Sequence, residues 1–307
     1  MTETLLPGSA PGEQAGCHEM HWPLDNITLA GLSWPKHEDR ASSRPPAILL
    51  HGWLDNAMSF ARLAPLLAEN TSIHALDMAG HGHSGHRPPG YTYWLMDYVA
   101  DLSEFLERHF PESERFPLDL IGHSLGGIVC ALYAAAFPER VRKLVMIDSL
   151  GALSRPAADT IPQLRRALQK RRAGSAAPAV YPDVHSAARI REGGLSPLSQ
   201  EAARTLVPRN MRAEADGYVW RTDARLRHPT PLMMTEEQVR ASLSAIRTPA
   251  LFVRAEEGLL VTRSGLDQRA DLIPGLQTVD VPGGHHCHLD GDVVPVARAI
   301  NRFLYHG

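Results

Sequence analysis

Short apolar runs recur along the chain, separated by segments whose apolar residues return at helical spacing. Pro46 to Leu50, Ser72 to Leu76, Leu118 to Ile121, Val141 to Ile147 and Pro249 to Arg254 are runs of this kind. Near-continuous apolar character over so few residues predicts interior strands of a parallel sheet covered on both faces. Two more strands are expected at about 24–31 and 277–281. Helices are expected over 59–69, where Phe60, Leu63, Leu66 and Leu67 share a face, and over 93–110, 128–137, 265–273 and 293–304. Strand and helix alternating in this order predict βαβ units and an α/β fold.

That rhythm stops near Ser149 and resumes near Pro249. The interval is rich in Ala, Arg and Pro, and at roughly 100 residues it is too long for a plain loop. An inserted, mostly helical cap accounts for it, with Tyr218-Val219-Trp220 as a small extended piece. The expected organisation is a loose lead-in over 1–20, a core over 21–150 and 246–307, and a cap over 151–245. The stretch 35–46 reads as a turn or loop.

Composition narrows the function classes. The 307 residues are 44% apolar and 21% charged with a formal net charge of -3, which fits an ordinary globular protein and gives no footprint for nucleic acid. The basic cluster Arg165, Arg166, Lys170, Arg171 and Arg172 reads as a solvated helix face. Three cysteines, Cys17, Cys130 and Cys287, supply neither a disulfide framework nor a zinc motif. The first twenty residues lack a basic start and an apolar run, and nowhere do about 18 apolar residues follow one another. No membrane partner is expected, and a cytoplasmic location is.

The chemistry begins at Gly122-His123-Ser124-Leu125-Gly126, a G-x-S-x-G sequence lying between an expected strand and an expected helix. The chain must reverse sharply there, and glycines make room for it. Ser124 would then be exposed beside the first amides of the following helix, which can offset developing negative charge. A glycine turn for nucleotides is the competing reading, but the phosphate-binding Lys and the dinucleotide glycine spacing are missing. Serine is a weak nucleophile without a base. Gly283-Gly284-His285-His286-Cys287-His288 follows the last expected strand, at the sheet edge where sites gather. Position alone leaves His285, His286 and His288 as candidates for that base.

These motifs resemble the α/β-hydrolase superfamily and, within it, the serine hydrolase-like proteins. The likeness also rests on His51-Gly52-Trp53-Leu54-Asp55-Asn56, on the Gly80-His81-Gly82-His83-Ser84 turn after Asp77, and on Gly284-His285. It spans about 45–150 and 245–304. It implies an α/β-hydrolase fold with a mostly parallel sheet and a helical cap, Ser124 as nucleophile and His285 as base. It also implies an oxyanion hole from the amides of Trp53 and Leu125. His288 falls where the family often keeps a packing or polar-network residue, and Asp55 suits either a loop hydrogen bond or substrate contact. The usual acid position departs from the pattern: Ala255-Glu256-Glu257-Gly258 places a glycine where an aspartate is common. Asp148, which ends the preceding core strand, is favoured as the acid, with Glu257 as the alternative and Glu256 or another acid behind it.

The implied activity is carboxylesterase-like hydrolysis of a small or medium acyl substrate through an acyl-enzyme, without cofactor or metal. Serine at the elbow disfavours dehalogenase or epoxide chemistry, which needs a carboxylate there. Carbon–carbon bond hydrolysis and a noncatalytic small-ligand receptor are the alternatives. Arg221, Arg225 and Arg227 are candidates for meeting an acidic substrate group, against a reading as exposed cap arginines.

Overall fold

The computed structural model describes residues 16–36, 44–261 and 265–306. Among them, ten strands are β1 (His18–Pro23), β2 (Thr28–Trp34), β3 (Ala47–Leu50), β4 (Ile73–Leu76), β5 (Leu118–His123), β6 (Val141–Ile147), β7 (Met211–Glu214), β8 (Gly217–Trp220), β9 (Ala250–Glu257) and β10 (Gln277–Gly284). Eight form one sheet in the order β1-β2-β4-β3-β5-β6-β9-β10. From β4 to β10 every neighbouring pair is parallel, while β1 pairs antiparallel with β2 and β2 with β4.

Alternation along the central strands divides the core in two. Ile48, Leu50, Leu120, Leu144, Met146 and Phe252 face one layer, where they meet α2 (Leu95–His109) and α3 (Leu125–Ala136). Leu49, Ile121, Val145, Ile147, Leu251 and Val253 face the other, against α1 (Ala64–Ala68) and α9 (Val294–His306). Both faces are covered, so the inner strands carry no polar alternation. Side chains such as Phe105 and Phe60 are fully buried, and truncating either to Ala would cost about 3–5 kcal/mol.

Three expectations need correction. The lead-in does not extend to residue 20: β1 begins at His18 and pairs His18 with Ser33 through Pro23 with Thr28. The single early strand at 24–31 is instead this hairpin, whose edge strand is polar enough to hide from an apolar-run argument. Residues 1–15 of the lead-in, and 37–43 of the loop expected at 35–46, lie outside the described residues. The cap contains α4 (Thr160–Ala173), α5 (Val184–Arg191), α6 (Gln200–Leu206) and the β7–β8 hairpin. However, α7 (Glu236–Ser244), expected within the cap, packs on α3 and buries Val239 and Leu243 in the main core. An amphipathic pattern shows that a face is buried but not which layer receives it. The short α8 (Leu266–Ala270) precedes β10.

Several histidines are buried as neutral rings. His51 accepts the Met78 N–H at Nε2 (3.0 Å) and sets Nδ1 against the Gly52 carbonyl (2.7 Å). His81 likewise accepts the Leu54 N–H (3.1 Å) and faces the Ala79 carbonyl (3.1 Å). Protonation would remove the acceptor in both. Burial pushes His74 down to about 4 and His81 down to about 3, and lowers His51, His123 and His288 as well. In the unfolded chain these rings titrate near 6.5, so below that pH unfolding takes up protons. Stability from this source is therefore complete above about pH 6.5 and is lost as pH falls toward the folded values. Urea midpoints measured from pH 7.5 to 5 should fall steeply, each ring contributing up to about 1.4 kcal/mol per pH unit. His81→Asn should flatten that slope by about one proton, and a pH-independent midpoint would contradict the account.

Candidate active site

The C-terminal ends of the parallel strands open into one cavity of about 1710 Å³, lined by Trp53, Leu54, Ser124, Leu125, Asp148 and His285 among others. Three non-glycine residues have positive φ among those described: Leu54 (65°), Ser124 (48°) and Asp148 (40°). Each follows a different central strand and each lines this cavity. Such conformations cost about 1–3 kcal/mol apiece and persist only where surroundings enforce them.

The bend at Ser124 is enforced by close backbone approach. A Cβ on Gly122 would lie 2.4 Å from Gly126 and Gly127 backbone atoms, and one on Gly126 would lie 2.0 Å from the Leu50 carbonyl oxygen. Gly126 donates its N–H to the His51 carbonyl (3.0 Å), locking the start of α3 onto the loop after β3. Ser124 itself donates its N–H to the Ile147 carbonyl (3.1 Å), and its own carbonyl accepts from Ser149 Oγ (2.7 Å).

His285 stands in the turn after β10. Its Nδ1 lies 2.5 Å from Asp148 Oδ2, which also accepts the Leu259 N–H at 3.0 Å. With Nδ1–H donating to the carboxylate, Nε2 is left as the acceptor nitrogen. The His285 carbonyl accepts from His123 Nε2 (2.9 Å), so the ring next to the elbow serine holds the turn that carries His285. Gly258 explains the departure at the usual acid position. A Cβ there would stand 2.4 Å from Asp148 Oδ1, so a side chain at 258 and a carboxylate at 148 exclude one another. Glu257, the alternative acid, is exposed and makes no bond to His285, and Glu256 is exposed beside it.

The Trp53 and Leu125 N–H groups donate to no other protein group among the described residues. The Leu54 N–H bond to His81 fixes the loop that presents Trp53. The Trp53 indole N–H reaches the Leu226 carbonyl of the cap (3.1 Å), so the ring spans the cavity wall instead of packing in the core.

A second cluster was not legible in the sequence. Asp55 is buried and its Oδ2 lies 3.0 Å from His286 Nε2, while Arg191 of α5 reaches to 3.3 Å from both Asp55 Oδ1 and His286 Nε2. Burial alone would raise the Asp55 pKa, but the neighbouring His286 and Arg191 hold it well below the usual carboxylate range. One ligand atom each of Asp55, His123 and His286 lie within 4.8 Å of one another, a spacing compatible with a metal ion. Arg191 already supplies positive charge at Asp55. His288 faces Ser59 Oγ (2.7 Å), and its ring packs against that of His123, with 4.1 Å between centroids, at the edge of this cluster. Burial raises the thiols of Cys130 and Cys287, the latter to about 12, leaving them as poor nucleophiles.

Of the cap arginines, Arg225 is fully engaged: it pairs with Asp223 (2.6 Å) and donates to the carbonyls of Arg87, Pro88 and Tyr91. Arg221 and Arg227 line the cavity without such partners. Arg209 is buried against Asp77 (2.9 Å) and Glu19 (2.6 Å), tying the cap to the turn after β4 and to β1. Arg191→Ala should destabilise the fold by about 3 kcal/mol, because Asp55 stays buried with one cation removed. Urea unfolding at pH 7.5 measures this, and a loss under 1 kcal/mol would mean that Asp55 does not depend on the guanidinium.

The α/β hydrolase fold family matches residues 45–292. A serine hydrolase-like protein of Danio rerio is 31% identical over 298 residues, covering 93% of this chain and 88% of its own length. A probable serine hydrolase of Drosophila melanogaster is 34% identical over 280 residues, covering 86% of this chain and 82% of its own. The crystal structure of a hypothetical protein from Pseudomonas aeruginosa PAO1 superposes with a TM-score of 0.84 at 37% identity, covering 94% of this chain and 98% of the other. On its sheet topology, its serine elbow and these matches, the chain belongs to the α/β-hydrolase family, among its serine hydrolases.

Proposed function

We propose that this enzyme hydrolyses an ester-like bond of a small or medium acyl substrate, with Ser124 as nucleophile, His285 as base and Asp148 as the orienting acid. The 2.5 Å contact between His285 Nδ1 and Asp148, in the same cavity as the elbow serine, carries the reading. That contact fixes the ring tautomer so that Nε2 can take a proton, and the acid then stabilises the imidazolium that results.

In the first half-reaction the Ser124 Oγ–H proton passes to His285 Nε2 as Oγ bonds to the carbonyl carbon. The carbonyl oxygen becomes an oxyanion at the Trp53 and Leu125 N–H groups, an interaction worth about 3 kcal/mol per donor. Collapse breaks the bond to the leaving group, which receives the proton from His285. Water then repeats the sequence: it yields a proton to Nε2, attacks the acyl carbon, and Ser124 recovers its proton as the acid departs. Apolar cavity residues such as Leu54, Trp94, Met96, Ile128 and Met234 suit the acyl chain. No step calls for a cofactor or metal. The Drosophila melanogaster relative is named a probable serine hydrolase and the Danio rerio relative a serine hydrolase-like protein, in keeping with this chemistry. The three free cysteines suit a reducing, cytoplasmic setting, and no described helix is long and apolar enough to cross a membrane.

A fluorophosphonate should label the protein at Ser124, mapped by mass spectrometry, and Ser124→Ala should lose both the label and short-chain ester turnover. Tight ligand binding without label or turnover would instead mark a receptor. Asp148→Asn should lower kcat by about 10⁴ while Glu257→Gln leaves it near wild type. Gly258→Ala should also depress kcat, since its Cβ displaces the Asp148 carboxylate, with circular dichroism checking that the fold persists. The reverse order of the two acid variants would move the acid role to Glu257.

A further inference from the structure

The cavity carries an imbalance of charge that the hydrolytic chemistry does not use. Its lining carboxylates are Asp55, Asp148 and Asp223, and all three are committed: to His286 and Arg191, to His285, and to Arg225 and Tyr93. Of its cationic side chains, Arg191 is held by Asp55 and Arg212 by Glu214. Lys170, Arg221 and Arg227 remain, and none makes a hydrogen bond or ion pair with another described group. The uncommitted charge facing the cavity is therefore positive.

Arg221 is the best placed of the three. It follows β8, its backbone N–H is anchored on the Asn210 carbonyl (2.7 Å), and its side chain is half-buried. The Nε atom is shut away from solvent with no acceptor, and the neighbouring Thr222 Oγ1, on a residue only 6% exposed, is also without a partner. Arg221 and Thr222 are consecutive residues that both line the cavity, and each carries a donor without an acceptor that a ligand oxygen could satisfy. A guanidinium satisfies carboxylate or phosphate oxygens best, through paired N–H donors.

We propose that Arg221 and Thr222, with Lys170 and Arg227 nearer the solvent, form an anion subsite. It takes a carboxylate or phosphate that the substrate carries away from the carbonyl attacked by Ser124. This rests on the hydrolase reading and deepens it: the substrate is an anionic ester or thioester, held at one end by charge and at the other by the elbow.

The test compares matched pairs. Mono-p-nitrophenyl adipate against p-nitrophenyl hexanoate places a carboxylate on the acyl side. S-hexanoyl-4′-phosphopantetheine against S-hexanoyl-pantetheine places a phosphate on the leaving side. Wild type should favour the anionic member of at least one pair in kcat/KM, and the pair that does so identifies which part of the substrate carries the charge. Arg221→Gln should reduce that anionic-to-neutral ratio about 10- to 100-fold, with Arg221→Lys between the two. A wild-type ratio near one in both pairs, or a ratio unchanged by Arg221→Gln, overturns the proposal. Calorimetry of adipate and of 4′-phosphopantetheine on Ser124→Ala separates the two readings. Binding that disappears in Ser124→Ala/Arg221→Gln upholds the subsite even if wild type turns over no ester, an outcome that would defeat only the hydrolase reading. Turnover of the neutral esters with no anion binding defeats only the subsite.

Discussion

The Asp148 carboxylate joins the ends of three strands that lie side by side in the sheet. It hangs from the end of β6, accepts the Leu259 N–H just beyond β9, and meets His285 just beyond β10. This contact needs Asp148 at a φ of 40° and a residue without a side chain at 258. Sheet spacing then brings the Ser124 elbow, at the end of the neighbouring β5, to the same cavity. Removing any one of these conditions leaves the remaining parts of the site without a common geometry.

The cost of holding such a site is spread through its surroundings. Left-handed backbone at Leu54, Ser124 and Asp148 is imposed by hydrogen bonds and close packing from neighbouring strands. Behind the elbow, His123 is kept neutral by burial and by the nearby histidines, so it serves as a donor to the His285 carbonyl and not as a competing base. The cap is tied down by two arginines, the half-buried Arg191 on Asp55 and the buried Arg209 on Asp77. Desolvation offsets much of the attraction in such pairs, so what they contribute is chiefly position. They set where the cap, and with it Arg221, stands above the sheet.

The central strands were legible because burial on both faces writes itself as an apolar run, and β3, β4, β5, β6 and β9 lie where those runs predict. The hairpin of β1 and β2 was not, because an edge strand such as His18–Pro23 draws its stability from pairing with its neighbour and shows a polar outer face. Helix α7 falls within the segment expected as cap yet packs in the core, because Val239 and Leu243 declare a buried side without declaring its partner. The bend at Ser124 was legible in its glycine spacing, and the histidine-bearing loop in its place after the last strand, although position alone left His285, His286 and His288 open. The pairing of Asp55 with His286 and Arg191 left no signal, since its members are 136 and 231 residues apart along the chain.

By itself the sequence determined the class of fold, the bend at Ser124 and the loop that supplies the histidine, because each is a local matter of periodicity or of glycine placed where a side chain would collide. The choice between Asp148 and Glu257 as the neighbour of His285, the reach of the cap arginines into the core, and the surplus of positive charge in the cavity were decided by tertiary structure alone. These depend on which strand ends lie adjacent and which charges are already paired, and neither is set until distant segments of the chain have met.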